Sequence, residues 1–487
     1  MTRDTSQPLE VYTSRRSWRS GISSHERFTH DSIESLGHDW ERVAHPDRPG
    51  RPPFKVYIAT SVDDVVRAVR EARELGERLT LRSKGHSSND LVVAEGGAVL
   101  LLQGLNRVLD VDEEGLTATV QAGCISAEVD DLLAPLGLGL PVVGDHADIT
   151  VGGFASVGGI NAASHRHGMF VDNVLGLEYV DWEGEVHTCG PGDPALNRLL
   201  GGLGRWGVIT SLTVRIERAA KYGTVLRNRQ RHFRSLDRFV AETGSLLREP
   251  PPGALYERGL WLDLPKKRGG SIALGQFSVF EATRQSGWKR LRDRLSYGYL
   301  HRLGYVAGRL PSKIDELVKI LGTLGILFGP RYGRVKNIEY FAEKILDSTV
   351  GDPMRMFVVL LPLDTYTETF RDFWSLMIGY RERHGCFTFV SVYLKSIASP
   401  YLAAAGRDGR FAEFLFYVGV EGERLTPELT EELVSELDDL CIRHGALRYM
   451  HSKTVKDPER VRLIDPNAYW TAGTAEAAAP VPVTVGD

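Results

Sequence analysis

The sequence is short of several features that would place it in a large class at once. Its 487 residues contain four cysteines, Cys124, Cys189, Cys386 and Cys441, scattered without paired spacing. A disulfide framework or a zinc module needs clustered cysteines, so both are argued against and buried free thiols are expected. No Asn-x-Ser/Thr acceptor occurs, and Met1 to Trp18 is polar with no apolar leader segment; the expected location is cytoplasmic. No window reaches the roughly 20 apolar residues that a transmembrane helix needs, so no spanning segment is expected. Lys and Arg number 59 against 63 Asp and Glu, a formal net charge of −4, which gives no reason to expect nucleic acid as a partner. No internal repeat and no metal-ligand spacing is visible, and no metal is expected.

What is present is ordinary globular material. Apolar residues make up 42% and charged residues 25%, enough for two or three domains with substantial cores. Residues 1 to about 35 are rich in Arg, Ser and Thr and read as a loose arm, and Pro46 to Pro53 reads as a linker. Val56-Tyr57-Ile58 reads as a strand. Ser61 is placed to cap a helix carrying Val65, Val66, Val69 and Ala72 at helical spacing. Leu79 to Leu81, Ala98 to Leu102 and Thr117 to Gln121 read as further strands, and Ala127 to Leu133 as a helix with Leu132 and Leu133 inward.

Two stretches carry the chemistry. The first is the turn Ser83-Lys84-Gly85-His86-Ser87, following a strand; a Ser/Gly turn can aim backbone N–H groups at an anion. The second runs from Asp145 through Asp148 and Thr150 to Asn161 and holds two glycine pairs, Gly152-Gly153 and Gly158-Gly159, among small residues. Such pairs permit close backbone approach to a large flat or phosphorylated ligand. Gly202-x-Gly204-x-x-Gly207 matches a dinucleotide-binding pattern, but a helical segment precedes it and a strand, Val208 to Ile216, follows. A Rossmann fingerprint needs the opposite order, so that reading is rejected.

This order of motifs, over roughly residues 50 to 217, resembles the FAD-binding (PCMH-type) domain of the FAD-linked oxidase, or vanillyl-alcohol oxidase, superfamily, and within it the cytokinin dehydrogenases. The resemblance implies an α+β fold: a two-subdomain FAD-binding domain and an α+β substrate domain whose antiparallel sheet lies over the flavin. The expected division is an arm at 1–49, the FAD-binding domain at 50–218, a substrate domain at 219–440, a segment returning to the flavin at 441–474 and a disordered tail at 475–487. It also implies FAD, bonded covalently through His86 as a single link. Ser83, Lys84, Gly85, His86 and Ser87 would hold the pyrophosphate side, Thr150, Gly153, Ser156 and Ile160 would continue the cradle, and Val208 and Ile209 would close over the adenine.

For proton removal the resemblance points to Asp145, five residues before Thr150, with Asp148 as the competing carboxylate. The ordinary reading of either is a loop aspartate capping a turn. Arg448 and Lys453 fit the spacing of a C-terminal segment that returns to the flavin in the superfamily's sugar-lactone oxidases; a polar strand end at the surface is the alternative. Three functions stay open. The first is cytokinin dehydrogenase-like oxidation of a small molecule at a carbon next to N–H or O–H, with O2 or another acceptor taking the electrons. The others are oxidation of a sugar, aldonolactone or other alcohol, and retention of FAD by a non-redox cyclase or binding protein. From Arg284 to Lys336 basic residues are in excess and mixed with Trp288 and several tyrosines; the expected structure is a solvated basic face with its apolar side packed on the core, an interfacial helix being the alternative.

Overall fold

The structure, a computed structural model, describes residues 11–13, 33–37, 39, 51–87, 91–94, 96–219, 224–266, 270–307, 330–340, 354–405, 408–420 and 424–471. The tail expected at 475–487 and most of the arm expected at 1–49 lie outside these residues.

A first sheet has the order β1 (Val11–Thr13), β2 (Lys55–Ile58), β4 (Ala98–Leu101) and β3 (Leu79–Arg82). β2, β3 and β4 run parallel, as a crossover helix requires. That helix, Val62–Glu74, begins with a capping box in which Ser61 and Asp64 satisfy each other's backbone. Val11–Thr13, read as part of a loose arm, instead pairs antiparallel with β2.

A second, antiparallel sheet takes in β5 (Val108–Asp112), β6 (Thr117–Gln121), β8 (Val174–Val180), β9 (Val186–Cys189) and β10 (Val208–Arg215) in the order β5-β6-β10-β8-β9. Two short strands, β7 (Leu138–Gly139) and β11 (Glu217–Arg218), pair beside it. The helix Ser126–Leu133 follows β6. It corrects one expectation: Leu133 is fully buried with Val129, while Leu132 is 49% exposed. Positions four apart share a helix face and adjacent ones do not.

The third sheet has eight strands in the order β15-β12-β14-β13-β17-β18-β16-β19. These are β12 (Val225–Phe233), β13 (Ala254–Pro265), β14 (Ser271–Ala282), β15 (Tyr332–Arg334), β16 (Met354–Pro362), β17 (Phe387–Ala398), β18 (Arg410–Val420) and β19 (Leu447–Arg448). All its pairings are antiparallel. Because side chains alternate along a strand, this sheet has two unlike faces. Phe357, Val359, Val392, Leu394, Phe414 and Phe416 point one way, into a core completed by the helices Leu236–Arg248, Tyr366–His384 and Pro427–His444. Met356, Tyr393, Lys395, Glu413, Leu415 and Tyr417 alternate with them and point the other way, towards the first two sheets.

At the β15 edge lies the helix Gly287–Ala307. It turns Asp293 and Tyr297 inward. Asp293 accepts from the Arg334 N–H and from Asn337, both at 2.9 Å. Of the aromatic residues expected to pack on the core, Tyr297 does so but Trp288 is 66% exposed, and Leu291 and Leu295 on the same helix are 46% and 62% exposed.

Candidate active site

The three sheets enclose a cavity of about 1490 Å³ of empty space, part of it open to solvent. Its walls are built from four segments far apart in the chain.

The first wall is the turn after β3. Gly85 has φ +75°, and a Cβ there would come within 2.7 Å of the Arg82 guanidinium, so the turn needs glycine. Arg82 is buried and donates to the Val92 carbonyl at 3.1 Å, while Gln103 donates to the Ser83 carbonyl at 2.7 Å. The loop is thus pinned on both sides. Ser83, Lys84, Gly85, His86 and Ser87 all line the cavity. Burial lowers the pKa of Lys84, against the pull of Asp148.

The second wall is the loop Gly144–Thr150 and the helix Val151–Val157. Gly152 is pressed on Ala122, where a Cβ would meet the Ala122 Cβ at 2.6 Å. Gly153 faces the cavity, where an added Cβ would meet only the Thr150 hydroxyl, at 3.0 Å. Thr150, Ser156 and Ile160 line the same wall. A backbone laid bare in this way suits close approach of a flat ligand. Ile209 joins it from β10; Val208, expected beside it, is fully buried on the other side of its strand, in the core around Tyr57 and Val65.

Both candidate aspartates are engaged, each by a different partner. His86 Nε2 lies 2.6 Å from Asp148 Oδ1, and the His86 ring is 4.9 Å from that of His146. Burial alone would raise the Asp148 carboxyl, but His86, His146 and Lys84 together hold it well below the usual carboxylate range. Asp145 is reached from the third sheet: Lys395 Nζ donates to its Oδ2 at 2.6 Å and lies 2.9 Å from Glu413 Oε2. Lys395 and Glu413 are direct cross-strand partners on β17 and β18. Burial opposes the Lys395 charge, yet Asp145 and Glu413 outweigh it and hold the ammonium charged. Burial raises the Glu413 carboxyl although Lys395 is beside it.

The last wall comes from the C-terminal stretch, by residues other than those expected. Tyr449 and His451 line the cavity. The Tyr449 hydroxyl accepts from the Gly159 N–H at 2.9 Å, and burial, with Arg448 and Lys395 nearby, lowers the His451 pKa to about 3. Arg448 and Lys453 are not among the lining residues. Arg448 is wholly buried on the helix-packed face, 3.3 Å from Asp438, and donates to the Lys453 carbonyl. The cause is strand alternation: Arg448 lies opposite Val359, whose side chain points into the helix-packed core.

Lys395 and Glu413 are the site residues that the motifs miss. The signal for them was a lone charge inside each of two apolar runs, 387–398 in β17 and 411–420 in β18. Buried charges in such strands need partners.

Residues 53–190 match the family model of the FAD binding domain. Cytokinin dehydrogenase 1 of Oryza sativa subsp. japonica is 29% identical over 316 residues, covering 60% of this chain and 58% of that protein. Cytokinin dehydrogenase 3 of Arabidopsis thaliana is 30% identical over 235 residues, 46% and 44% of the two chains. (R)-6-hydroxynicotine oxidase of Paenarthrobacter nicotinovorans is 32% identical over 166 residues, 34% and 36%. The chain thus spans less than two thirds of the length of these relatives.

Proposed function

We propose, from the match of residues 53–190 to the FAD binding domain model and the similarity to cytokinin dehydrogenases, that the chain is a cytokinin dehydrogenase-like FAD-dependent oxidoreductase acting on a small molecule. In this reading residues 50–218 hold the FAD, 219–440 shape the substrate side and 441–474 return to complete the site. The observation that carries it is the Asp145 carboxylate, presented at the cavity beside the exposed Gly153 backbone and gripped by Lys395 from the opposite sheet.

FAD fits the donor set: a pinned Ser/Gly turn with a buried lysine, a glycine-faced wall and an apolar roof. When bound, FAD supplies a hydride acceptor at N5. The chain's residues do the rest. Asp145 takes the proton from the N–H or O–H next to the carbon that gives up hydride. Lys395 fixes that carboxylate and compensates its charge in a partly dry site, and Glu413 holds Lys395 from behind. The resemblance makes His86 the covalent tether, and Asp148, 2.6 Å from its Nε2, orients the ring. Tyr449, Met356 and Leu415 keep water from the roof. O2 or another acceptor would take up the electrons. The sugar or lactone reading loses its motive, because Arg448 and Lys453 are not among the residues lining the cavity.

The test uses the purified full chain. Acid precipitation should give a fluorescent protein band, and His86→Ala should release the colour to the supernatant. A panel of isoprenoid adenines against polyols, read by flavin bleaching, separates amine-type from alcohol oxidation; bleaching by polyols alone overturns the cytokinin dehydrogenase-like reading. A chain that neither carries nor takes up flavin overturns the whole proposal.

A further inference from the structure

The Gly287–Ala307 helix presents to solvent a face that none of the described residues covers. Its inward side is settled: Asp293 is gripped by Arg334 and Asn337, and Tyr297 is buried in hydrogen-bonding contact with Arg258. Lys289 is tied back to Thr283 and the Arg284 carbonyl and lies 5.4 Å over the Tyr332 ring. The helix is therefore held at the sheet edge in one rotation, and that rotation turns Trp288, Leu291 and Leu295 outward. Their spacing of three and four residues makes a single stripe. Monomeric proteins seldom leave a tryptophan and two leucines side by side in water without a use.

The surroundings of the stripe say what would cover it. Arg290, Arg292 and Arg294 are exposed on the same helix, and Asp293, the acid among residues 284–297, is buried and neutralised by Arg334. From Arg284 to Lys336 the sequence has twelve Lys and Arg against three Asp and Glu, a net of +9 in a chain whose total is −4. Positive charge is thus concentrated in the stretch of sequence that carries the stripe, with Arg290, Arg292 and Arg294 exposed beside it, and the remainder of the sequence is acidic. An apolar protein partner would be met by the stripe but not by the arginines, and a nucleic acid by the arginines but not by the stripe. A bilayer with anionic phosphate headgroups meets both: tryptophan and leucine enter the headgroup boundary while arginines stay at the phosphate level. Among the described residues no helix is long and apolar enough to cross a membrane, so this is attachment to a surface.

We infer that the Trp288–Leu295 face docks the protein on anionic lipid membranes. The inference does not depend on the bound flavin or on turnover, so it stands or falls separately from the enzymatic reading. The test is sedimentation of the purified full chain with sucrose-loaded vesicles of phosphatidylcholine alone or mixed with phosphatidylglycerol. The expected result is at least about tenfold stronger partition onto the phosphatidylglycerol vesicles, weakened by added salt. Trp288→Ala/Leu291→Ser/Leu295→Ser should abolish pelleting with the thermal midpoint unchanged. Arg290→Glu/Arg294→Glu, which leaves the apolar stripe in place, should remove the phosphatidylglycerol preference. Failure of the wild type to pellet, equal pelleting with both vesicles, or undiminished binding by either variant overturns the inference. So does oligonucleotide binding with no vesicle binding.

Discussion

The two faces of the eight-stranded sheet are made by the same strands and do opposite work. On one, Phe414 is fully buried, edge-on to Phe370 and Phe416 with ring centroids 4.7 Å apart. On the other, one residue away, Glu413 holds Lys395 against Asp145. The difference teaches that stability and chemistry are interleaved at single-residue spacing, and that each can be disturbed alone.

The sharpest way to break that comparison is to cut one residue on each face. Asp145→Asn keeps shape but removes the base, and turnover should drop by roughly 10²–10⁴-fold with flavin content and thermal midpoint unchanged; turnover within about twofold of wild type would deny Asp145 its role. Phe414→Ala should cost about 3–5 kcal/mol in urea unfolding, and a loss under about 1 kcal/mol would mean that this face is not a packed core.

Lys395 sits where both concerns meet. Lys395→Met leaves Glu413 buried without its cation and should cost about 3–5 kcal/mol. Adding Glu413→Leu should recover most of that stability, since an apolar pair of like volume replaces a buried ion pair. Activity should not return with it. If the double variant turns over like wild type, Lys395 serves the fold alone.

The most gradual effect concerns pH. His451 is held neutral, with a folded pKa of about 3 against roughly 6.5 when unfolded. Between those values the unfolded chain binds a proton that the folded one refuses, so acid favours unfolding and stability falls as pH drops. The slope from this residue is at most about 1.4 kcal/mol per pH unit. His451→Gln should flatten the decline between pH about 6.5 and 3; parallel curves for variant and wild type would show that the imidazole is not kept neutral.

The glycine pairs and the His86 turn were legible in the sequence because their demands are local: a positive φ at Gly85 and Gly159, a missing Cβ at Gly152. So was the strand that follows Gly207. The outward rotation of the Trp288 helix was not legible, since it is set by Asp293 reaching Arg334 across forty-one positions of chain. Nor was the choice between Arg448 and Tyr449 as the residue facing the cavity. That depends on the register of β19 against β16, and a shift by one would exchange them. Lys395 meets Asp145 from 250 residues away, a separation that no motif reports.

The hydrogen bond from the Gly159 N–H to the Tyr449 hydroxyl has a bearing on biosynthesis. A ribosome finishes the twin-glycine segment long before it delivers the tyrosine that closes over it. The contact between the two can therefore form only after residue 449 has been made.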